Sequence, residues 1–322
     1  MGRALEKAAG RAEGQDAQGT GLFGAALRDL VVISNPAAGR GGRRKLRDAL
    51  AVLEHRGIQV EHRETGRRGD AERLAREAAG RNPRPGAVVA AGGDGTIHEV
   101  VNGLAYTGVP LGVLPLGTAN VYARELGLPP EAADAARALL GGTARRVHLG
   151  MAGDRYFLAM AGVGFDAQVV YELDLGLKRL LGRLAYVSTG LRVLAAPPRH
   201  CFDVELEGET ICACGAVIGK GRYWGGAFQV TPDARVEEPE LYLCLFTRSR
   251  PWDLMRYAAG ILSGRHLAYP DVVLRRARRF SVRCSRPLHV QADGDLAGTL
   301  PMEFSVAEGA LSVLAPPAAV FP

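Results

Sequence analysis

The sequence predicts an α/β protein with an N-terminal doubly wound parallel α/β domain and a C-terminal, mostly-β sandwich domain. Three observations carry this expectation. Short apolar runs alternate with helical periods from about residue 28 to 150, and Gly-, Asn- and Thr-bearing loops follow those runs. Beyond 150 the chain turns to strand-like runs broken by Gly, Pro and Asp. Buried parallel strands read as continuous apolar stretches, and strand–helix alternation builds a parallel sheet. Strands punctuated by turns build a sandwich.

In chain order, residues 1–28 read as a loosely ordered, Gly/Ala-rich tail without the apolar core of a secretory signal, which points to a cytoplasmic protein. Residues 29–148 form the expected first domain. Its strands are LVVIS (30–34), IQVEHR (58–63), AVVAA (87–91) and LGVLP (111–115). Between them, Leu46/Ala49/Leu50/Leu53, Ala71/Leu74/Ala75/Ala78 and Ile97/Val100/Val101/Leu104 each repeat at the helical period and suit one face of a sheet. Asp70 reads as a helix N-cap. Residues 149–322 form the second domain, with helices expected only around 177–195 and 251–263.

The chain has 322 residues, 47% of them apolar, and no run long enough to cross a membrane as a helix. Its net charge is +6, concentrated in GRGGRRKLR (39–47), LRRARRFSVRCSR (274–286) and the basic, apolar-rich LKRLLGRLAY (177–186). No aromatic stacking platform or recognition-helix pattern accompanies these arginines, so nucleic acid is not an expected partner. A membrane surface suits 177–186. Five cysteines without framework spacing read as free thiols in a reducing compartment.

Chemistry is expected in the loops after the strands, where open α/β sheets bind ligands. SNPAAGRGG (34–42) offers an anion site, with Asn35 in the loop and Arg40 adding charge, but its spacing is neither that of a dinucleotide fingerprint nor of a Walker loop. Thr65 ends the second strand. AAGGDGTIHEVVNGL (90–104) follows the third strand. Gly92, Gly93 and Gly95 are expected to allow close ligand approach and positive φ, and Thr96 brings a hydroxyl to a helix start. Asp94 would repel a bare phosphate, so it fits a bridging Mg²⁺ or a hydroxyl nucleophile. PLGTANVYAREL (115–126) repeats the theme with Gly117, Thr118 and Asn120. His98 reads as a base, a packing residue or a surface residue. ADGD (292–295) reads as a turn or as two acids, Asp293 and Asp295, converging on one site.

Together NPAAGRGG, GGDGTIHEVVNGL and LPLGTANVYAREL, in this order, resemble the diacylglycerol kinase catalytic-domain family of soluble lipid kinases, related to the sphingosine and ceramide kinases. MAGVGFDAQVV, IGKGRYWGGAFQVTPDA and VQADGDLAG agree. The resemblance implies a NAD kinase/diacylglycerol kinase-like fold and ATP- and Mg²⁺-dependent phosphorylation of a lipid hydroxyl, diacylglycerol- or sphingosine-like, in a cleft between the domains. ATP would lie against Asn35, Thr65, Gly92–Thr96 and Thr118. Asp295 would accept the proton, with Asp293 in support. The departures are Asp295 in place of the family's glutamate, Val121 in place of a frequent aspartate, and RVEEPEL (235–241), where Glu238 would have to replace the aspartate of a structural magnesium site. The implied partner is a lipid at a membrane surface, met by peripheral association, and a homodimer is allowed. The alternatives are a NAD kinase-like phosphotransferase and a non-catalytic nucleotide- or lipid-binding protein of the same fold.

Overall fold

The structure, a computed structural model, describes residues 27–39, 41–173, 188–190, 192–194 and 201–316. The expected tail, Arg40 and the 177–186 stretch lie wholly or almost wholly outside these residues.

The first domain builds its sheet from β1 (Asp29–Ser34), β2 (Gln59–Glu64), β3 (Ala87–Gly92) and β4 (Leu111–Pro115), in the order β2-β1-β3-β4, all parallel. The helices are α1 (Gly42–Glu54), α2 (Asp70–Ala79), α3 (Asp94–Leu104), α4 (Val121–Glu125) and α5 (Ala132–Leu140). The alternation of side chains along the strands sends Val31, Ile33, Val88 and Ala90 to the face covered by α2 and α3. Leu30, Val32, Ala87 and Val89 go to the face covered by α1 and α5. Helices on both faces explain why β1 after Asp29, β3 and β4 are buried along their length, whereas the edge strand β2 is more exposed.

The second domain comprises β5 (Thr143–Ala152), β6 (Arg155–Phe157), β7 (Met160–Val163), α6 (Phe165–Glu172), β8 (Phe202–Leu206), β9 (Glu209–Ala213), β10 (Gly215–Gly219), β11 (Tyr223–Trp224), β12 (Phe228–Gln229), β13 (Leu241–Phe246), α7 (Pro251–Leu262), β14 (Val272–Ala277), β15 (Arg279–Arg283), β16 (His289–Ala292), β17 (Asp295–Thr299) and β18 (Met302–Ala315). One layer, β14-β13-β10-β7-β16-β17, packs on another containing β18, β15, β8 and β9. Ile218, Leu243 and Val290 from the first layer meet Phe202, Val282 and Phe304 from the second, as in a sandwich core.

The second of these layers is continuous with the parallel sheet of the first domain. β18 pairs antiparallel with β5 and β15, and at Val313 it lies parallel to β4 beside Leu111. The β5–β18 ribbon therefore crosses the boundary expected at 148/149, and residues 311–315 return to the first domain.

Several expectations are corrected. TICACGAVI (210–218), which by its sequence reads as one strand, is two: β9 belongs to one layer and β10 to the other. Cys201 and Cys214 continue the Phe202–Ala213 register by one step and form a disulfide, so these two are not free thiols; Cys212, Cys244 and Cys284 are. The α6 helix lies outside the two helices expected in this domain, because its eight residues are too few to show a helical period. Of the helix expected over 177–195, residues 188–190 and 192–194 are described, and they are helical.

Candidate active site

Three loops converge at the carboxyl edge of the parallel sheet, and the contacts leave room for backbone alone. A Cβ on Gly117 would lie 2.6 Å from Gly93 Cα, and one on Gly39 would lie 2.2 Å from Leu116 O. Asn35 joins them: its Nδ2 lies 3.4 Å from Thr96 Oγ1, and its Oδ1 accepts the Ala37 N–H at 2.9 Å. The loop after β2 is tied in where Thr65 N–H donates to Ser34 O at 2.8 Å. The glycines act by close approach rather than by positive φ, which is absent from Gly92, Gly93 and Gly95. Gly92 packs on the Thr96 side chain, and Gly95 faces open space at the start of α3. Thr118 is exposed on the rim. Asn120 adopts a left-handed conformation at the start of α4; its Nδ2 donates to Gly117 O at 3.0 Å, while its Oδ1 is buried without a partner.

This cradle fits a nucleotide: glycine backbone and the start of α3 suit its phosphates, and the orphaned Asn120 Oδ1 suits a hydroxyl or amino donor of its ribose or base. Asp94, the first residue of α3, accepts the Tyr122 N–H at 3.1 Å. Burial, then the negative charge of Asp293, push its carboxyl up to about 6 against the pull of that N–H group. A single carboxylate is how proteins commonly hold Mg²⁺ on a nucleotide, with phosphates and water completing the shell. Among the described residues no three His, Cys, Asp or Glu side chains cluster as a complete metal cage.

Asp293 comes to α3 and α4 from the second domain, on the tight turn between β16 and β17. Both turn residues have positive φ (Asp293 50°, Gly294 85°), as two-residue hairpins require. The Asp293 side chain is 1% exposed. Its Oδ1 accepts the N–H groups of Ala159 (3.0 Å) and Met160 (2.9 Å). Its Oδ2 accepts the Leu158 N–H (2.8 Å) and the Tyr122 hydroxyl, and lies 3.2 Å from His98 Nδ1. Burial and the Asp293 charge push the Tyr122 hydroxyl up, keeping it a donor. Asp293 is thus a saturated junction holding α3, α4 and the β6–β7 loop together. His98 is buried beside it rather than on the surface.

Asp295 does not share these partners. It pairs with Arg68 of the loop before α2 (3.0 Å) and lines a cavity of about 80 Å³ together with His98, Glu99, Arg155 and Leu296. Both domains contribute to this cavity. The two acids of the turn therefore diverge: Asp293 organises the junction and Asp295 faces the cavity. Sequence reasoning missed Arg68, Arg155 and Tyr122, whose partners are far away in the chain. Asn102 adds a further tie, exchanging hydrogen bonds of 3.1 Å with the Tyr156 backbone of β6.

The 235–241 loop does not fit a divalent ion. Lys220 at the end of β10, 0% exposed, donates from Nζ to the carbonyl oxygens of Arg235 and Glu238 (2.7 Å to Glu238). Burial pushes its ammonium down to about 8, opposed by Glu238, Glu125 and Glu240. The Glu238 carboxylate accepts the Tyr242 hydroxyl instead of a metal. A second cation there would meet the lysine's charge, so Glu238 is not a metal ligand.

The fold defines the class: a nucleotide-type crevice on a parallel α/β sheet, with a β-sandwich joined to it through a shared sheet. Residues 29–152 match the diacylglycerol kinase catalytic domain, and residues 159–315 match the YegS C-terminal NAD kinase beta sandwich-like domain. A diacylglycerol kinase of Bacillus subtilis (strain 168) is 34% identical over 286 residues, 86% of this chain and 93% of that protein. One of Staphylococcus aureus (strain MRSA252) is 31% identical over 292 residues, 88% and 91% of the respective chains. A crystal structure of a diacylglycerol kinase from Bacillus anthracis str. Sterne shares the fold, with a TM-score of 0.73 at 24% identity over 91% of this chain and 98% of that one. This chain belongs to the diacylglycerol kinase family.

Proposed function

We propose that this protein is an ATP-dependent lipid kinase that phosphorylates the hydroxyl of a diacylglycerol-like lipid. The observation that carries the reading is the convergence of Asn35, Gly93, Thr96 and Gly117 on one crevice, with Asp94 at the start of α3. ATP with a divalent ion supplies the transferable phosphoryl group and neutralises its charge. Asn35, the Gly92–Thr96 turn, Gly117 and Thr118 would bind and orient the phosphates, and Asn120 Oδ1 would accept from the ribose or base. Asp94 holds the cation or aligns the acceptor hydroxyl. Asp295, released from Arg68 as substrate enters the cavity, takes the hydroxyl proton, and the Asp293 junction fixes the distance between the two domains. Family membership and the names of the relatives support the same reading.

Incubation with labelled ATP, Mg²⁺ and a panel of lipids bearing free hydroxyls should yield a labelled lipid phosphate. Asp94→Asn should lower the rate by about two orders of magnitude or more, the scale of losing a transition-state electrostatic group. NADP formed from NAD and ATP with no lipid product, or tight ATP binding without turnover, would overturn the reading.

A further inference from the structure

The α7 helix is amphipathic in the wrong sense for a surface helix of a protein surrounded only by water. Its inner face is formed by Leu254, Tyr257 and Ile261, packed with Phe246 and Val230. Its outer residues, Pro251, Trp252, Met255, Ala258, Ala259 and Leu262, are all exposed and all apolar. At 3.6 residues per turn these six fall within an arc of about 120°. Trp252, Met255 and Leu262 are 72%, 44% and 61% exposed. Surface helices normally present charged and polar groups on that arc, and a contiguous apolar patch marks an interaction site.

The charges around this face select its partner. Residues 247–274 hold four arginines and two acids, Asp253 and Asp271. Both acids are buried: Asp271 accepts the Tyr257 hydroxyl at 2.7 Å and pairs with Arg256 and Arg248. Arg248 and Arg250 at one end of the helix and Arg265 beyond the other are exposed. The face is therefore apolar in the middle, cationic at both ends, and without an exposed acid. An aqueous protein partner does not require that combination, whereas a bilayer with anionic headgroups does. Apolar side chains enter the acyl boundary, Trp sits at the interface, and arginine side chains reach back to phosphates. A helix of this length lies about 18 Å along such a plane.

We infer that the exposed face of α7 is the surface by which the protein lies on an anionic lipid bilayer. The position suits the proposed lipid kinase activity, on which the biological sense of the inference rests. α7 packs through Tyr257 and Leu254 on the cluster containing Trp224 of β11. The segment leading into β11 is anchored to α4 beside the nucleotide crevice, where Arg222 and Tyr223 donate backbone N–H groups to Glu125 (2.9 and 3.3 Å). The membrane face is thus connected to the crevice through one hairpin.

The full chain contains two tryptophans, and Trp224 is half-buried with its Nε1–H bonded to Asp166 at 3.1 Å, which leaves Trp252 as the reporter. Vesicles of phosphatidylcholine with phosphatidylglycerol should sediment the protein, shift its tryptophan emission to the blue, and permit quenching by brominated acyl chains. Phosphatidylcholine alone should do so at least tenfold more weakly. Trp252→Phe should lose the spectral change but keep the binding. Met255→Glu with Leu262→Glu should lower vesicle partitioning at least tenfold while the circular dichroism spectrum and melting temperature hold. Vesicle binding unchanged in that double variant, or Trp252 unquenched while the protein is bound, would overturn the inference. So would a dimer of the free protein that the double variant dissociates. No step reads catalysis: if the protein phosphorylates no lipid yet binds through Trp252, the kinase reading fails and the membrane face stands.

Discussion

Asp94 is where function and stability pull apart. Its folded-state pKa is raised from 3.8 to about 6, so the fold favours the protonated form. The charged carboxylate therefore destabilises the protein fully above about pH 6, less between 6 and 3.8, and not at all below. Asp94→Asn should raise the melting temperature at neutral pH and leave it unchanged below pH 3.8, while lowering phosphoryl transfer by about two orders of magnitude or more. In the wild type kcat/KM, which reports the free enzyme, should fall as pH drops through about 6 if the charged form serves the proposed reaction. The neighbouring turn offers a sharper contrast. Asp293→Ala removes the acceptor of three buried backbone N–H groups and of the Tyr122 hydroxyl. Each unsatisfied group costs about 1–3 kcal/mol, so a loss of at least about 3 kcal/mol is expected in denaturant melts. Asp295→Asn should leave the melt unchanged and reduce turnover. The opposite pattern would exchange the roles assigned to the two acids.

At the scale of elements, the α2 helix borrows its cap. Asp70, expected as the N-cap, is the first helical residue, and its Oδ2 instead accepts Gly66 and Arg67 N–H groups (2.9 and 3.0 Å) in the preceding turn. The first amides of α2 are satisfied by Glu99 of α3, which accepts from Gly69 (2.9 Å) and Ala71 (3.1 Å). Glu99→Ala should cost about 1 kcal/mol, the usual worth of a lost cap, and should raise hydrogen exchange at Gly69 and Ala71 first. The contrast marks what a sequence can show. Periodicity located β1 to β4 to within about one residue and found the buried stripes of α1, α2 and α3, because burial on one or two faces is written in local pattern; α5, an Ala-rich helix, went unread. The convergence of the loops after β1, β3 and β4 was legible because glycine and threonine at strand ends have few other uses. Asp293's role was not legible, since its partners lie at 98, 122 and 158–160. The Glu99 cap is likewise a contact across 28 to 30 positions, invisible to any local rule. Lys220 could have been flagged: a lysine closing the apolar run AVIG needs a buried partner.

Across the whole molecule, the shared sheet makes the two domains one cooperative unit. Val313 is fully buried on β18, between β4 of the first domain and β5. Val313→Pro would remove a ladder hydrogen bond at that seam. The wild type should melt in one transition, and the variant should expose amides of β1 and β3 together with those of β15, rather than unfolding the sandwich alone. The loop held by Lys220 has a consequence at the same scale. A bound ion is borrowed from the medium and leaves when the medium is depleted, whereas an ammonium on the chain is synthesised with the protein and cannot be chelated. The sandwich therefore keeps its 235–241 loop through magnesium starvation or EDTA treatment, and whatever divalent ion the reaction needs can come and go with each turnover without disturbing the scaffold.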